Sequence, residues 1–370
     1  MVGGSYLFVL LVQLLAIYWT GSRGPWLGLA AGVYVFVLML LTGLRPPRYR
    51  LWTSTWVGLG ALGVILLVLI NVTPLGAGLR HVPYVGRLTT ILESDVGTGL
   101  VRVLIWEGVS EMVTPHEPLV FPDGEPDRVN PIRPLVGYGP EAMWVAYNKF
   151  YPPALAQVEA RNASPDRSHN ETWDSLAITG AFGFFAYVLM FLMLFYWALR
   201  WLELITNRRD LYLFLGLWLG GGAALSIAFY FIDGSWRFFG VALPTGFIAG
   251  FVLYVTLAVF LHPDMRMEKE DQRRKLLIVA ILSAILAHYV EIHFGIAIAA
   301  TRTYFWVYSA VLLALGMGWL TPEPFAAPVT GPVPAQTSSG GGRRRRTRRS
   351  TPQPQTPGTG SSALPSTVMP

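Results

Sequence analysis

The sequence predicts an all-α polytopic membrane protein with about eight transmembrane helices, a large extracytoplasmic loop subdomain and a disordered basic C-terminal tail. Three observations carry this. Of the 370 residues, 53% are hydrophobic and 14% charged, where a soluble domain carries about 25% charged residues. The apolar residues are gathered into runs approaching or exceeding the roughly 20 residues that cross a bilayer. Every second loop between those runs is basic, which puts the basic loops on one side.

The expected spans, in order, are residues 5–20, 25–44, 53–73, 175–199, 211–232, 238–261, 276–297 and 303–320. The first begins near Met1 without a basic leader region or an Ala-x-Ala site, which favours a retained helix over a cleaved signal. Arg45, Arg48 and Arg50 lie between the second and third spans, and Arg200, Arg208 and Arg209 between the fourth and fifth. Arg266, Lys269, Arg273, Arg274 and Lys275 lie between the sixth and seventh. If the helices alternate, all three loops and the tail fall on one side, and excess Lys and Arg make that side cytoplasmic. The expected localisation is the cytoplasmic (inner) membrane, multi-pass, with both termini cytoplasmic. Residues 21–24, 75–170, 233–237 and the region of Arg302 then face outward.

Four regions result: 1–74 with three spans, 75–170 as an extracytoplasmic catalytic loop, 171–320 with five spans, and 321–370 as the tail. The loop has eight Lys or Arg against eleven Asp or Glu, so it carries no inward-retention signal. Residues 88–92 and 100–112 read as short helices in it, and 115–133 as irregular chain with a turn at Asp123-Gly124. The tail is rich in Pro, Ser, Thr, Gly and Arg, a composition that cannot bury a core. Six arginines there (343–346, 348 and 349) against Glu323 account for +5 of the net charge of +6. The rest of the chain is nearly neutral, so a nucleic-acid-binding body is not implied.

Chemistry concentrates at Asp166-Arg167-Ser168-His169-Asn170-Glu171-Thr172-Trp173-Asp174, where the loop meets the fourth span. His169 has the ordinary pKa of a general base, about 6.5. Arg167 would keep the imidazole neutral and bind an anion, and Asn170 can orient a donor or acceptor. Asp174 lies about one turn along, within reach of a histidine nitrogen. The same residues also read as a helix cap, with Ser168 or Asn170 at the N-cap and Glu171 or Asp174 in the first turn. The two roles are compatible, since a capped helix end is a rigid platform.

The outward segments add Arg23 in the turn after the first span, Arg87 after Gly86, and Arg102 paired with Trp106 at i, i+4. Guanidinium groups recognise phosphate bidentately, and outward arginines have no positive-inside reason to be there. Each alone reads as the partner of a loop carboxylate; as a set beside His169 they read as an anion site. Gly137-Tyr138-Gly139 reads as a tight turn allowing close approach of backbone or ligand. His288, Glu291 and His293 lie near the outer end of the seventh span, but no further ligand stands at metal-binding spacing, and no metal or other cofactor is expected. Asp233 and Arg237 read as a mutual pair. The chain has no cysteine, which excludes disulfides, thiolate metal sites and a cysteine nucleophile. It also has no P-loop, dinucleotide fingerprint or Gly-x-Ser-x-Gly elbow.

In order, Thr20-Gly-Ser-Arg-Gly24, Gly86-Arg87, Arg102-x-x-x-Trp106, Pro134-Leu-Val-Gly-Tyr-Gly139, Ser168-His169-Asn170 and Gly180-x-x-Gly183 resemble the O-antigen ligase/polymerase superfamily of bacterial membrane glycosyltransferases. The resemblance covers roughly residues 5–200. It implies transfer of a glycan from an undecaprenyl-pyrophosphate-linked donor to an acceptor hydroxyl of a glycan, lipid or protein, outside the cytoplasmic membrane and without cofactor. His169 would activate that hydroxyl, and Arg23, Arg87 and Arg102 would hold the pyrophosphate. Family members usually have about twelve spans with these motifs in the later half, so about four N-terminal helices would be lacking here. Two other classes fit parts of the sequence: a transporter or flippase of an anionic lipid or sugar using the same arginines, and a non-catalytic membrane scaffold.

Overall fold

The computed structural model describes residues 2–79, 86, 89, 97–262 and 271–320, all within one compact unit, Met1–Thr321. Among them the fold is helical, and the only extended pairing is an isolated bridge between Val120 and Pro126. The long helices are α1 (Val2–Thr20), α2 (Arg23–Leu44) and α3 (Tyr49–Val72). The segment after them contributes α4 (Gly97–Met112) and three single turns, α5 (Arg133–Val136), α6 (Met143–Ala146) and α7 (Leu155–Val158). The chain continues with α8 (Glu171–Trp201), α9 (Arg208–Asp233), α10 (Phe239–Leu261), α11 (Gln272–Glu291) and α12 (Ala299–Gly316).

Helices α1 to α3 and α8 to α10 are long and apolar enough to cross a membrane. The expected spans at 276–297 and 303–320 also form helices, α11 and α12, but these are more polar. Helix α11 opens on Gln272-Arg273-Arg274-Lys275 and carries His288 and Glu291, and α12 carries Arg302 in its first turn. The expected short helix at 100–112 is α4, three residues longer at its start. The expected one at 88–92, the arginines 343–349 and the remainder of the tail lie outside the described residues.

Contacts at the helix ends set the direction of the bundle. At one end, the Asn170 amide before α8 reaches carbonyls of Gly240 in α10 and His293 after α11. There too Arg302 of α12 pairs with Glu171 of α8. At the other end, His262 after α10 meets Asp210 at the start of α9, 3.3 Å apart. Lys275 of α11 bonds Glu203 after α8 at 3.0 Å, and the Arg50 guanidinium of α3 lies 6.0 Å from the Phe260 ring of α10. Helices α2, α8, α10 and α12 therefore run one way and α3, α9 and α11 the other.

The main core is aromatic. Phe191, Phe195, Phe251 and Tyr289 interlock at its centre, and Trp218 of α9 stacks on Phe247 of α10 with centroids 3.8 Å apart. Helices α2 and α11 approach through small residues: a Cβ on Gly28 would meet the Ala287 carbonyl oxygen at 2.6 Å. This contact seats the start of α2, with Arg23, beside the end of α11. A second core joins α4 to Met143, Tyr147, Phe150 and Leu155, and docks them on Trp173 and Ala177 of α8. The segment before α8 is thus anchored to the helix end that carries the polar cluster.

Candidate functional site

The turn into α8 is fixed from both sides. Asn170 is the N-cap, with extended φ and ψ of −155° and 118°, and its Oδ1 accepts from the Trp173 N–H at 3.2 Å. Its Nδ2 donates to the Gly240 and His293 carbonyls at 2.8 and 2.9 Å. One buried amide therefore caps α8 and ties it to α10 and the end of α11. Asp174 is committed to Ser168: its Oδ1 accepts from the Ser168 N–H at 2.7 Å and lies 2.7 Å from the Ser168 hydroxyl. That hydroxyl is also 2.8 Å from the Asn170 carbonyl oxygen. The sequence reading had Asp174 reach a histidine nitrogen; its carboxylate instead closes the turn that presents His169. Trp106, buried in α4, donates its indole N–H to the Ser168 carbonyl at 2.9 Å.

Between these restraints His169 sits in the left-handed region, with φ of 60°. That costs a residue with a Cβ roughly 1–2 kcal/mol, and such strain persists where neighbours over-determine it. Among the described residues the half-buried His169 ring has no hydrogen-bond partner. Its pKa is held below the ordinary imidazole value by burial first and then by the positive charge of Arg102, with Asp174, Asp166 and Glu159 pulling it back up. The ring is therefore neutral at physiological pH, with a lone pair available.

Arg102 donates through Nη1 to the Phe294 carbonyl at 2.8 Å. Burial, and then the charge of Arg23, lower its pKa, but a guanidinium stays charged. Arg23 opens α2, where the helix dipole adds positive potential, and the next residue, Gly24, lies against the Glu291 and Phe294 carbonyls. Arg23, Arg102 and His169 thus share one neighbourhood. Two guanidinium groups near a neutral imidazole are chemistry suited to an anion.

The remaining expected site residues lie elsewhere in the network. Arg167 pairs with Glu141 at 2.9 Å. The Tyr138 hydroxyl lies 2.6 Å from His116 Nε2, and its ring lies under the Arg133 guanidinium at 5.0 Å. Burial pushes this phenol up to about 12. Trp106 is spent on positioning Ser168. Arg87 lies outside the described residues. Asp233 and Arg237 pair at 2.7 Å, and Arg237 also reaches Glu107 of α4 at 3.3 Å. His288 and Glu291 approach to 3.7 Å. Among the described residues no group of three or more metal-ligating side chains occurs.

Two elements of the site have no local sequence signature. Glu171 is held by Arg302, whose Nη2 donates to both carboxylate oxygens at 2.9 and 3.0 Å. His293 has Nδ1 2.6 Å from the Tyr289 carbonyl and Nε2 3.1 Å from the Thr172 hydroxyl. The Tyr289 carbonyl can only accept, so Nδ1 carries a proton. The only signal for either pair is an ionisable residue within or beside an apolar helix, which does not name the partner.

Comparison with protein-family models, with curated proteins and with solved structures finds no match.

Proposed function

We propose that the chain is a membrane glycosyltransferase that moves a glycan from an undecaprenyl-pyrophosphate-type carrier to an acceptor hydroxyl at the outer face of the cytoplasmic membrane. The observation that carries the reading is the neutral His169 ring, without a hydrogen-bond partner among the described residues and fixed in a strained turn beside Arg102 and Arg23. The resemblance to O-antigen ligases and polymerases supplies the substrate class. The side assignment rests on the basic loops at the opposite end of the bundle, with α11 and α12 completing eight spans.

In the reaction, the acceptor hydroxyl attacks the anomeric carbon of the first sugar. The bond from that carbon to the pyrophosphate oxygen breaks, and the carrier pyrophosphate leaves with the bonding electrons. His169 takes the hydroxyl proton, a contribution of about 10²–10⁴ in rate for a positioned base. Arg23 and Arg102 stabilise the charge that grows on the departing pyrophosphate. Asp174, Ser168 and Trp106 position the base.

Reconstitution into proteoliposomes with an undecaprenyl-pyrophosphate oligosaccharide and a panel of hydroxyl acceptors tests this. Covalent transfer that His169→Ala abolishes, with membrane insertion intact, is the expected result. Full transfer by that variant removes His169 as the base.

A second reading, a transporter or flippase of an anionic lipid or sugar, draws on the same pair of outer-end arginines, Arg23 and Arg102. Flux of the lipid-linked donor across the vesicle without a covalent product would select it.

A further inference from the structure

Helix α8 has a non-helical residue inside it, Gly180, at φ 63° and ψ −166°. The break divides the helix by chemistry. Before it stand Glu171 and Asp174; after it, residues 181–199 carry no charge and Arg200 closes the stretch. Those nineteen residues match the roughly 20 needed for a hydrocarbon core of about 30 Å. The break therefore falls where α8 leaves the hydrocarbon.

Another part of the chain is docked on that point. The N–H groups of Tyr138 and Gly139 donate to the carbonyls of Ala177 and Ile178 at 2.8 and 2.9 Å. Backbone at a membrane boundary needs such partners, because lipid supplies none. Gly137 and Gly180 pack backbone to backbone: a Cβ on Gly137 would lie 2.5 Å from the Ile178 carbonyl oxygen and 2.6 Å from the Gly180 nitrogen. This seats the single turn α5 at the level of the boundary.

The turn is apolar on its free side. Ile132, Leu135 and Val136 are 49%, 44% and 42% exposed, and below them on α8 Phe182 and Phe185 are 66% and 64% exposed. Its charge is turned inward. Arg133 Nε lies 2.8 Å from Asp127 Oδ2, Nη1 donates to the Gly137 carbonyl at 3.1 Å, and the guanidinium covers the Tyr138 ring.

We propose that the Ile132–Val136 knuckle is a membrane-interface anchor, its three apolar side chains inserted between lipid headgroups where α8 emerges. The occupant of this face is lipid, because the face continues directly into the uncharged stretch of α8. The inference needs α8 to span the membrane and is independent of any transfer chemistry.

The chain has no cysteine, so single-cysteine labelling tests the anchor directly. Ile132→Cys, Leu135→Cys and Val136→Cys, each carrying an environment-sensitive fluorophore, are reconstituted into phosphatidylethanolamine–phosphatidylglycerol vesicles containing shallow or deep nitroxide lipids. Thr114→Cys is the water-side reference and Phe185→Cys the deep one. Insertion by the ~5–10 Å of an interfacial element predicts that shallow nitroxides quench the knuckle labels at least about twofold more than the Thr114 label. Deep nitroxides should favore Phe185. Three labelling sites guard against one variant misfolding. Knuckle labels that behave like Thr114 overturn the proposal. So does shielding from lipid combined with oxidative cross-linking of Leu135→Cys protomers, which would assign the face to a second copy.

Discussion

At the end of the bundle that holds Arg200 and Arg274, guanidinium groups tie down backbone carbonyls. Arg200 donates to the Ile205 and Thr206 carbonyls, and Arg274 to those of Leu315 and Gly316 while pairing with Asp271. At the opposite end Arg102 makes one such bond, to Phe294, and is held where the charge of Arg23 opposes it. The first arrangement satisfies orphan carbonyls and favours cations at helix C-termini. The second brings the charges of Arg23 and Arg102 near each other. The contrast separates arginines committed to two backbone carbonyls each from Arg102, which makes one such bond and lies near His169, a distinction that counting arginines cannot make.

The sharpest way to break the contrast is to remove its neutral partner. His169→Ala is expected to lower glycan transfer by about 10²–10⁴-fold, with insertion unchanged, measured by product formation in proteoliposomes. Next in size, Arg102→Gln is expected to lower transfer by about 10²–10³-fold, the scale for losing one preorganised charge-stabilising donor. Arg274→Gln, the same change at the other end, should leave turnover per folded molecule within about twofold while lowering thermal stability, as the loss of bonds to two helix-end carbonyls implies. Equal losses of turnover at both ends would erase the distinction.

Much of this was readable from residue order. Uninterrupted apolar runs place α1 to α3 and α8 to α10 because a membrane span is a length criterion. The polar cluster at 166–174 marks the foot of α8 because charge there has no packing reason. What could not be read is which member of the cluster lacks a hydrogen bond among the described residues. Asn170 and Asp174 are chemically as suitable as His169, but their partners, Gly240, His293 and Ser168, are set by how three helix ends meet. The break at Gly180 was equally hidden: a glycine in an apolar run is common, and only the docking of Gly137 identifies this one.

Stability should separate that glycine from an ordinary one. Gly180→Ala must hold a Cβ at φ 63° against the Leu135 and Gly137 backbone, and is expected to cost about 2–4 kcal/mol from strain and overpacking together. Gly216 of α9, with open space around it, should tolerate Ala or gain about 0.5–1 kcal/mol from its higher helix propensity. Thermal unfolding in detergent, followed by tryptophan fluorescence, reads both. Similar melting temperatures for the two variants would mean that the α8 break is not a required feature.

The smallest effect probes the electrostatics directly. The active form of a general base is the unprotonated one, so transfer should fall as pH drops through the His169 pKa. Because burial and Arg102 depress that pKa, the acid limb is expected below the free imidazole value of about 6.5. Removing the Arg102 charge lets the proton bind more readily, so the limb of the residual activity in Arg102→Gln moves to higher pH. Asp166 acts in the opposite sense, and Asp166→Asn should move the limb to lower pH, by less because Asp166 is exposed and screened by salt. Raising ionic strength should shrink the Asp166 shift more than the Arg102 shift. Limbs that coincide in all three proteins would assign the titration to a group other than His169.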